Sequence, residues 1–191
     1  WHANEGHTAF MLLERANEEV AKGVSFAEAV SITKETAIFT THTPVPAGSD
    51  VFSSQIIEKY FAGYWDSLGI DLKTFLELGE TDSSGAGNFN MTALALKMSG
   101  QCCGVSQLHG QGSRRMGHNL WPGVSESKVP ISHITNGIHV PTWLAPELYR
   151  LLAKYLGSDL LENHDDPQVW KAIDQIPYEE FWEVRRTLKR K

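Results

Sequence analysis

Only two cysteines occur in these 191 residues, and they are neighbours, Cys102 and Cys103. Adjacent cysteines rarely bridge each other without strain, which excludes a disulfide-stapled scaffold. Two thiols with no histidine at ligand spacing also make a poor zinc site. They fit a reducing cytoplasm, with both side chains packed as small apolar groups. No run of about 18 apolar residues is present to span a membrane, and the start of the chain does not read as a signal peptide. It opens on Trp1 instead of methionine, as expected of a processed product or an excised piece. Basic residues are not in excess either: 17 Lys and Arg stand against 23 Asp and Glu, for a net charge of −6. Nucleic acid is therefore not expected as a partner, because phosphate binding wants a Lys/Arg-rich face. The one dense basic run, Arg185-Arg186 with Lys189-Arg190-Lys191, ends the chain and reads as a solvated helix end. Internal repeats and low-complexity tracts are absent.

What is present can build a core. Hydrophobic residues make up 41% of the chain, and the length suits one domain of ordinary size or pieces of two. The stretch 36–50, TAIFTTHTPVPAGSD, organises the reading. Its β-branched and aromatic beginning, 36–41, predicts a buried strand. His42 follows at once, and Pro44, Pro46 and Gly48 then forbid regular continuation. Open α/β sheets bind ligands at the carboxyl ends of their strands, so an imidazole there is either a ligand-binding group or one satisfying a buried backbone atom.

Upstream, residues 1–7 are expected to precede a helix with Ala9, Leu13, Ala16 and Val20 on one face and Gly23 as its stop. Glu5 and His7 then sit at its amino end, as caps or as site residues. Ser25 and Glu28 form a capping box, with Val24 as staple, for a second helix to about residue 35. Downstream, Ile57, Tyr60, Phe61, Tyr64 and Leu68 make an inward stripe at helical spacing. Asp71 caps a short helix with Phe75, Leu76 and Leu78. Residues 80–89 read as a loop; no strand precedes their Asp-Ser-Ser-Gly, so a phosphate-cradling P-loop is rejected. Asn90 caps a helix over 91–99, with Leu94, Ala95 and Met98 inward. The segment 102–116 is expected to turn at Gly104, where a glycine marks close backbone approach, and to enter a helix holding His109. Residues 117–130 read as surface loop and 130–134 as a second short strand. That strand breaks at Thr135-Asn136-Gly137, repeating the grammar at His42; an ordinary Asn-Gly turn is the alternative. Three helices follow, opened by Pro146, Asp166-Pro167 and Pro177.

Taken together, HANEGHTAF at 2–10, FTTHTPVPAGSDVF at 39–52, NFNMTALAL at 88–96, CGVSQLHG at 103–110 and ITNGIHVPTW at 134–143 resemble the α-glucan (glycogen, starch, maltodextrin) phosphorylases, in order and spacing as well as in wording. The THTPVPAG form resembles the shorter prokaryotic branch. The resemblance covers essentially the whole chain. It implies an α/β fold: a helix-rich fragment of a two-lobed, Rossmann-like (GT-B type) glycosyltransferase with few short parallel strands. Residues 1–135 would end the first lobe, and 136–191 would form the crossover and first helices of the second. The implied partners are an α-1,4-glucan and inorganic phosphate, giving α-glucose 1-phosphate with retained configuration. The implied cofactor is pyridoxal phosphate, and the implied state is a cytoplasmic homo-oligomer when full length.

By the same resemblance, His42 takes the catalytic-centre position, its carbonyl facing the anomeric carbon and its ring binding a sugar hydroxyl. Asn136 would hold the 6-hydroxyl, and Val105 with the Gly104 turn would line the same hydroxymethyl group. Glu5 and His7 would stand on the wall of the sugar pocket, and Trp143 beside the cofactor. Cys103 stands where the family usually has Asn, and Cys102 and Gly112 are further departures, so the hydrogen bonding behind Val105 is expected to differ. No segment matches the family's Schiff-base lysine, catalytic glutamate or phosphate-binding basic residues. The 191-residue piece is therefore expected to lack activity alone. Two other classes of function stand beside this one: a non-catalytic glucan-binding or regulatory module, and a nucleotide-sugar glycosyltransferase such as a glycogen synthase, which the THTP and TNGI…PTW pairing fits poorly.

Overall fold

A computed structural model describes residues 1–45, 48–81 and 87–191. Two compact units are present, Trp1–Asn136 and Gly137–Lys191. The first is α/β and carries a four-stranded, all-parallel sheet in the order β1-β2-β5-β6, formed by His2–Asn4, Ile38–Thr41, Gln101–Gly104 and Ile131–His133. One cross-strand row, Ala3, Phe39, Cys102 and Ile131, is buried and anchors the core. Because side chains alternate across a strand, the next row, Asn4, Thr40, Cys103 and Ser132, points to the other face.

The helices on the core face follow their capping chemistry. In α1 (Phe10–Val20), Leu12, Leu13 and Ala16 are buried, with Ala9 just ahead of it, and Gly23 (φ 99°) lies beyond its end. Ser25 accepts the Glu28 amide at 3.3 Å to open α2 (Phe26–Thr36). Asn90 accepts the Ala93 amide at 3.0 Å to open α6 (Met91–Met98), whose Leu94, Ala95 and Met98 are buried as the periodicity requires. Asp71 accepts the Thr74 amide at 2.8 Å to open α5 (Leu72–Glu77). Ser106 accepts the His109 amide at 3.1 Å to open α7 (Gln107–Gly117).

Several sequence expectations need correction. The strand expected over 36–41 begins at Ile38, because α2 runs on through Thr36. Residues 2–4, read only as a lead-in, form edge strand β1; three residues are too few to show alternation. Residues 101–104, read as a turn, form central strand β5, since Gly104 ends the strand instead of breaking it. Val51–Ser53 (β3) and Asn88–Asn90 (β4) pair antiparallel in a small second sheet that was not foreseen. The stripe 57–68 is not one helix: Gly63 (φ 82°) separates α3 (Ser54–Phe61) from α4 (Tyr64–Ser67). Tyr60, inside α3 but off the face that buries Ile57, is 72% exposed, not inward. Within the 80–89 loop, 82–86 lie outside the described residues, as do Pro46 and Ala47 of the His42 loop. The expected surface loop at 117–130 holds two short 3-10 turns and buries Val129.

In the second unit, α8 (Val140–Trp143), not foreseen, precedes α9 (Pro146–Leu156), which buries Leu151 and Leu152. The helix expected after Pro167 is a 3-10 run, Val169–Gln175, with Ile173 exposed. The last helix, α10 (Tyr178–Arg190), places Phe181, Val184 and Leu188 half-buried along one side. Among the described residues no helix is long and apolar enough to cross a membrane.

Candidate functional site at the carboxyl ends of the sheet

Parallel strands all end on one edge, and here each of the four delivers a candidate residue to it. Glu5 follows β1, His42 follows β2, Val105 follows β5, and Asn136 stands three residues past β6. The pairing persists beyond the strands. The Glu5 amide donates to the Thr40 carbonyl at 2.8 Å, Ile134 to Gly104 at 3.0 Å, and Asn136 to Val105 at 3.1 Å. Thus six of the seven candidates, Glu5, His7, His42, Gly104, Val105 and Asn136, belong to the first unit. Trp143 belongs to the second, at the end of α8, and is 79% exposed.

Glu5 is the hub. Its Oε2 accepts the His42 amide at 2.7 Å and the Thr43 hydroxyl at 3.0 Å, while Oε1 accepts the Gly6 amide at 3.0 Å and the Thr41 hydroxyl at 3.4 Å. A carboxylate has about four lone-pair positions, so this set uses them within the protein. Burial raises the Glu5 pKa, but the bonds from His42, Gly6 and Thr43, together with the nearby His42 ring, bring it below the ordinary value. The backbone at Glu5 (φ 73°, ψ 161°) lies where glycine is normally required, and it is the only non-glycine residue with positive φ among those described. Such strain costs on the order of 1–3 kcal/mol and persists where surrounding contacts over-determine it.

His42 is held at both ends. Its amide is anchored on Glu5, and its Nε2 lies 2.7 Å from Asn4 Oδ1, so the ring donates there. Its Nδ1 and its carbonyl have no partner among the described residues, and the residue is exposed. Asn136 and His7 are exposed as well. On the far wall, the Val105 amide donates to His109 Nδ1 at 3.2 Å, and His109 Nε2 lies 3.0 Å from the Thr43 carbonyl. Gly104 is required for this arrangement: a Cβ on it would come within 2.7 Å of Nδ1 and 3.0 Å of the Gly110 amide nitrogen. The close approach expected at Gly104 is therefore to α7. Cys103, beside it, packs its Sγ 3.3 Å from Thr40 Oγ1.

Asn4 and Thr43 are not singled out by the sequence, and His109 is placed there on its helix but given no role in the site. Ser106, three residues ahead of His109, was the one usable signal, as a cap that fixes where the helix starts. A cavity of about 250 Å³ lies behind the edge, lined in part by Thr41, Thr43, Ser113, Leu96 and Ile131, but not by His42, Val105 or Asn136. Three of its hydroxyls are already committed: Thr41 and Thr43 to Glu5, and Ser113 to the His109 carbonyl. The strand ends carry unpartnered polar groups of their own, the His42 carbonyl and Nδ1, and that is where the candidate site is placed.

The chain is 38% identical over 189 residues to the maltodextrin phosphorylase of Thermococcus litoralis, a match that covers 99% of this chain and 22% of that protein. It is 37% identical over 196 residues to the glycogen phosphorylase of Mycobacterium tuberculosis, with the same coverage. To the glycogen phosphorylase of Aquifex aeolicus it is 34% identical over 183 residues, 96% of this chain and 26% of that protein. Nearly end to end, this chain is similar to part of these maltodextrin and glycogen phosphorylases. It spans about a fifth to a quarter of the length of these curated phosphorylases. No protein-family profile matches it.

Pyridoxal phosphate, implied by the phosphorylase resemblance, is not accommodated by these residues alone. A Schiff-base lysine has to be secluded and free, yet every lysine here is exposed except Lys97. The Lys97 ammonium is spent on the carbonyls of Glu77, at 2.6 Å, and Glu80, at 2.7 Å. The exposed indole of Trp143 does not make a cofactor site without further groups.

Proposed function

We propose that this chain is the sugar-binding half of the active site of a two-lobed, GT-B type α-glucan phosphorylase, which cleaves terminal α-1,4-glucosyl units with inorganic phosphate. The observation that carries the reading is the convergence of four strand ends on one edge of a parallel sheet. That edge carries a hydrogen-bonding surface: the His42 carbonyl and Nδ1, the half-buried Val105 and the exposed Asn136 amide. A neutral sugar is held by a few well-placed polar groups of this kind. The His42 carbonyl would face the anomeric carbon, Nδ1 would take a sugar hydroxyl, and Asn136 would take the 6-hydroxyl beside Val105 and Gly104. Glu5 acts through its hold on His42, and His7 borders the same wall.

The charged groups that stabilise developing charge, and pyridoxal phosphate itself, would come from parts of the enzyme outside these residues; Trp143 would lie beside that cofactor. The complete enzyme would work in the cytoplasm as a homo-oligomer. The test is steady-state phosphorolysis of maltoheptaose by the longer protein that carries this segment. His42→Ala and Asn136→Ala should each lose about 1–3 kcal/mol of transition-state stabilisation, roughly 5- to 150-fold in kcat/KM. Wild-type kcat/KM in both variants would refute the assigned roles.

A further inference from the structure

His109 touches both walls of the candidate site and is proposed to contact no sugar. Its Nδ1 faces the Val105 amide at 3.2 Å, so that nitrogen must carry the lone pair. The ring proton then sits on Nε2, 3.0 Å from the Thr43 carbonyl, to which it donates. One neutral imidazole in one tautomer therefore ties the loop after β2 to the turn after β5. Its own position is set from the helix: Ser106 caps α7 through the His109 amide, and Gly104 leaves room for the ring. The Val105 carbonyl meanwhile holds the Asn136 amide at 3.1 Å. The ring thus joins the flank of His42 to the pair Val105–Asn136.

We propose that His109 is a positioning residue that fixes the spacing between the His42 loop and the Val105–Asn136 wall, so that sugar contacts on both sides engage one glucosyl ring together. The inference rests on the sugar-binding reading of the strand ends. A misplacement of about 1 Å between such groups is enough to cost on the order of 100-fold in rate. Gln can accept with its carbonyl and donate with its amide, so it can supply both bonds; Phe fills the space and supplies neither.

The experiment compares His109→Phe, His109→Gln and Gly104→Ala in the longer protein that carries this segment. It reads kcat/KM for phosphorolysis and hydrogen exchange of peptides covering 42–45 and 103–106. The expected result is a 10- to 100-fold loss of kcat/KM in His109→Phe, recovery of most of that loss in His109→Gln, and faster exchange in both peptides for His109→Phe. Gly104→Ala, whose Cβ would crowd the ring at 2.7 Å and the α7 backbone at Gly110 at 3.0 Å, should resemble His109→Phe. If His109→Phe does not fold, His109→Gln against Gly104→Ala gives the same contrast. Wild-type kcat/KM in His109→Phe, a Gln variant no better than Phe, or faster exchange in only one peptide would overturn the proposal. Faster exchange in both peptides for His109→Phe, together with a wild-type protein that releases no glucose 1-phosphate, would keep the brace and refute the sugar-binding reading instead.

Discussion

Replacing Glu5 separates the two things the structure asks of it, a carboxylate hub and a strained backbone. Glu5→Ala removes the acceptor for the His42 amide at 2.7 Å and the Thr43 hydroxyl at 3.0 Å, and keeps a Cβ at φ 73°. Hydrogen bonds to a charged group contribute about 1.5–3 kcal/mol each when buried, and this carboxylate is half-buried. Water can partly replace it, so about 2 kcal/mol is the expected loss of hold on His42. That is about 30-fold in amide exchange. Glu5→Gln should lie between wild type and Ala, since its amide oxygen can serve one pair of donors while its NH₂ opposes the other. Glu5→Gly removes the same carboxylate but relieves the backbone, and should be more stable than Glu5→Ala by about 1–3 kcal/mol. The assay is hydrogen exchange of the His42 peptide together with thermal unfolding of each variant. Unchanged exchange in Glu5→Ala, or equal stability of the Ala and Gly variants, would refute the hub or the strain respectively. The pH dependence carries a definite sign. Because the native carboxyl titrates below its ordinary value, the hold on His42 is fully present above about pH 4.3 and is lost as pH falls through the lower native value.

Other expectations follow from packing and capping. Phe89, fully buried and stacked on Phe75 with centroids 5.8 Å apart, should cost about 3–5 kcal/mol when changed to Ala, measured by denaturant unfolding. Asn90→Ala should cost about 1 kcal/mol in the same measurement by uncapping α6. Gly100→Ala would drive a Cβ to 2.2 Å from the Lys34 carbonyl oxygen, and should lower the melting temperature by several degrees, about 1–3 kcal/mol. Burial, with the neighbouring Cys103 adding to it, pushes the Cys102 thiol up to about 12, so Cys102 should resist alkylation in native protein at pH 8 and react once unfolded.

Capping residues and apolar periodicity made the helices legible: Ser25, Asp71 and Asn90 open the helices they were expected to open. The same signals ended the reading at the short strands. Residues 2–4 and 101–104 offer three or four positions each, too few for a pattern, and His2, Cys102 and Cys103 are not strand formers by type. They become strands because Ile38–Thr41 templates them on both sides, a tertiary cause with no local trace. The candidate edge was legible where a strand of ordinary composition met a breaker, at His42 and Asn136. The Glu5 hub and the His109 brace were not, because each depends on a contact between residues more than 35 positions apart in sequence, Glu5 with His42 and His109 with Thr43.

The central claim is that these residues hold the sugar while the rest of a phosphorylase completes the chemistry. The measurement that tests it most directly is release of α-glucose 1-phosphate from maltoheptaose and inorganic phosphate with pyridoxal phosphate added. The 191-residue chain should release none, and the longer protein that carries it should release it. Release by the 191-residue chain alone, or none from the longer protein, would contradict the account.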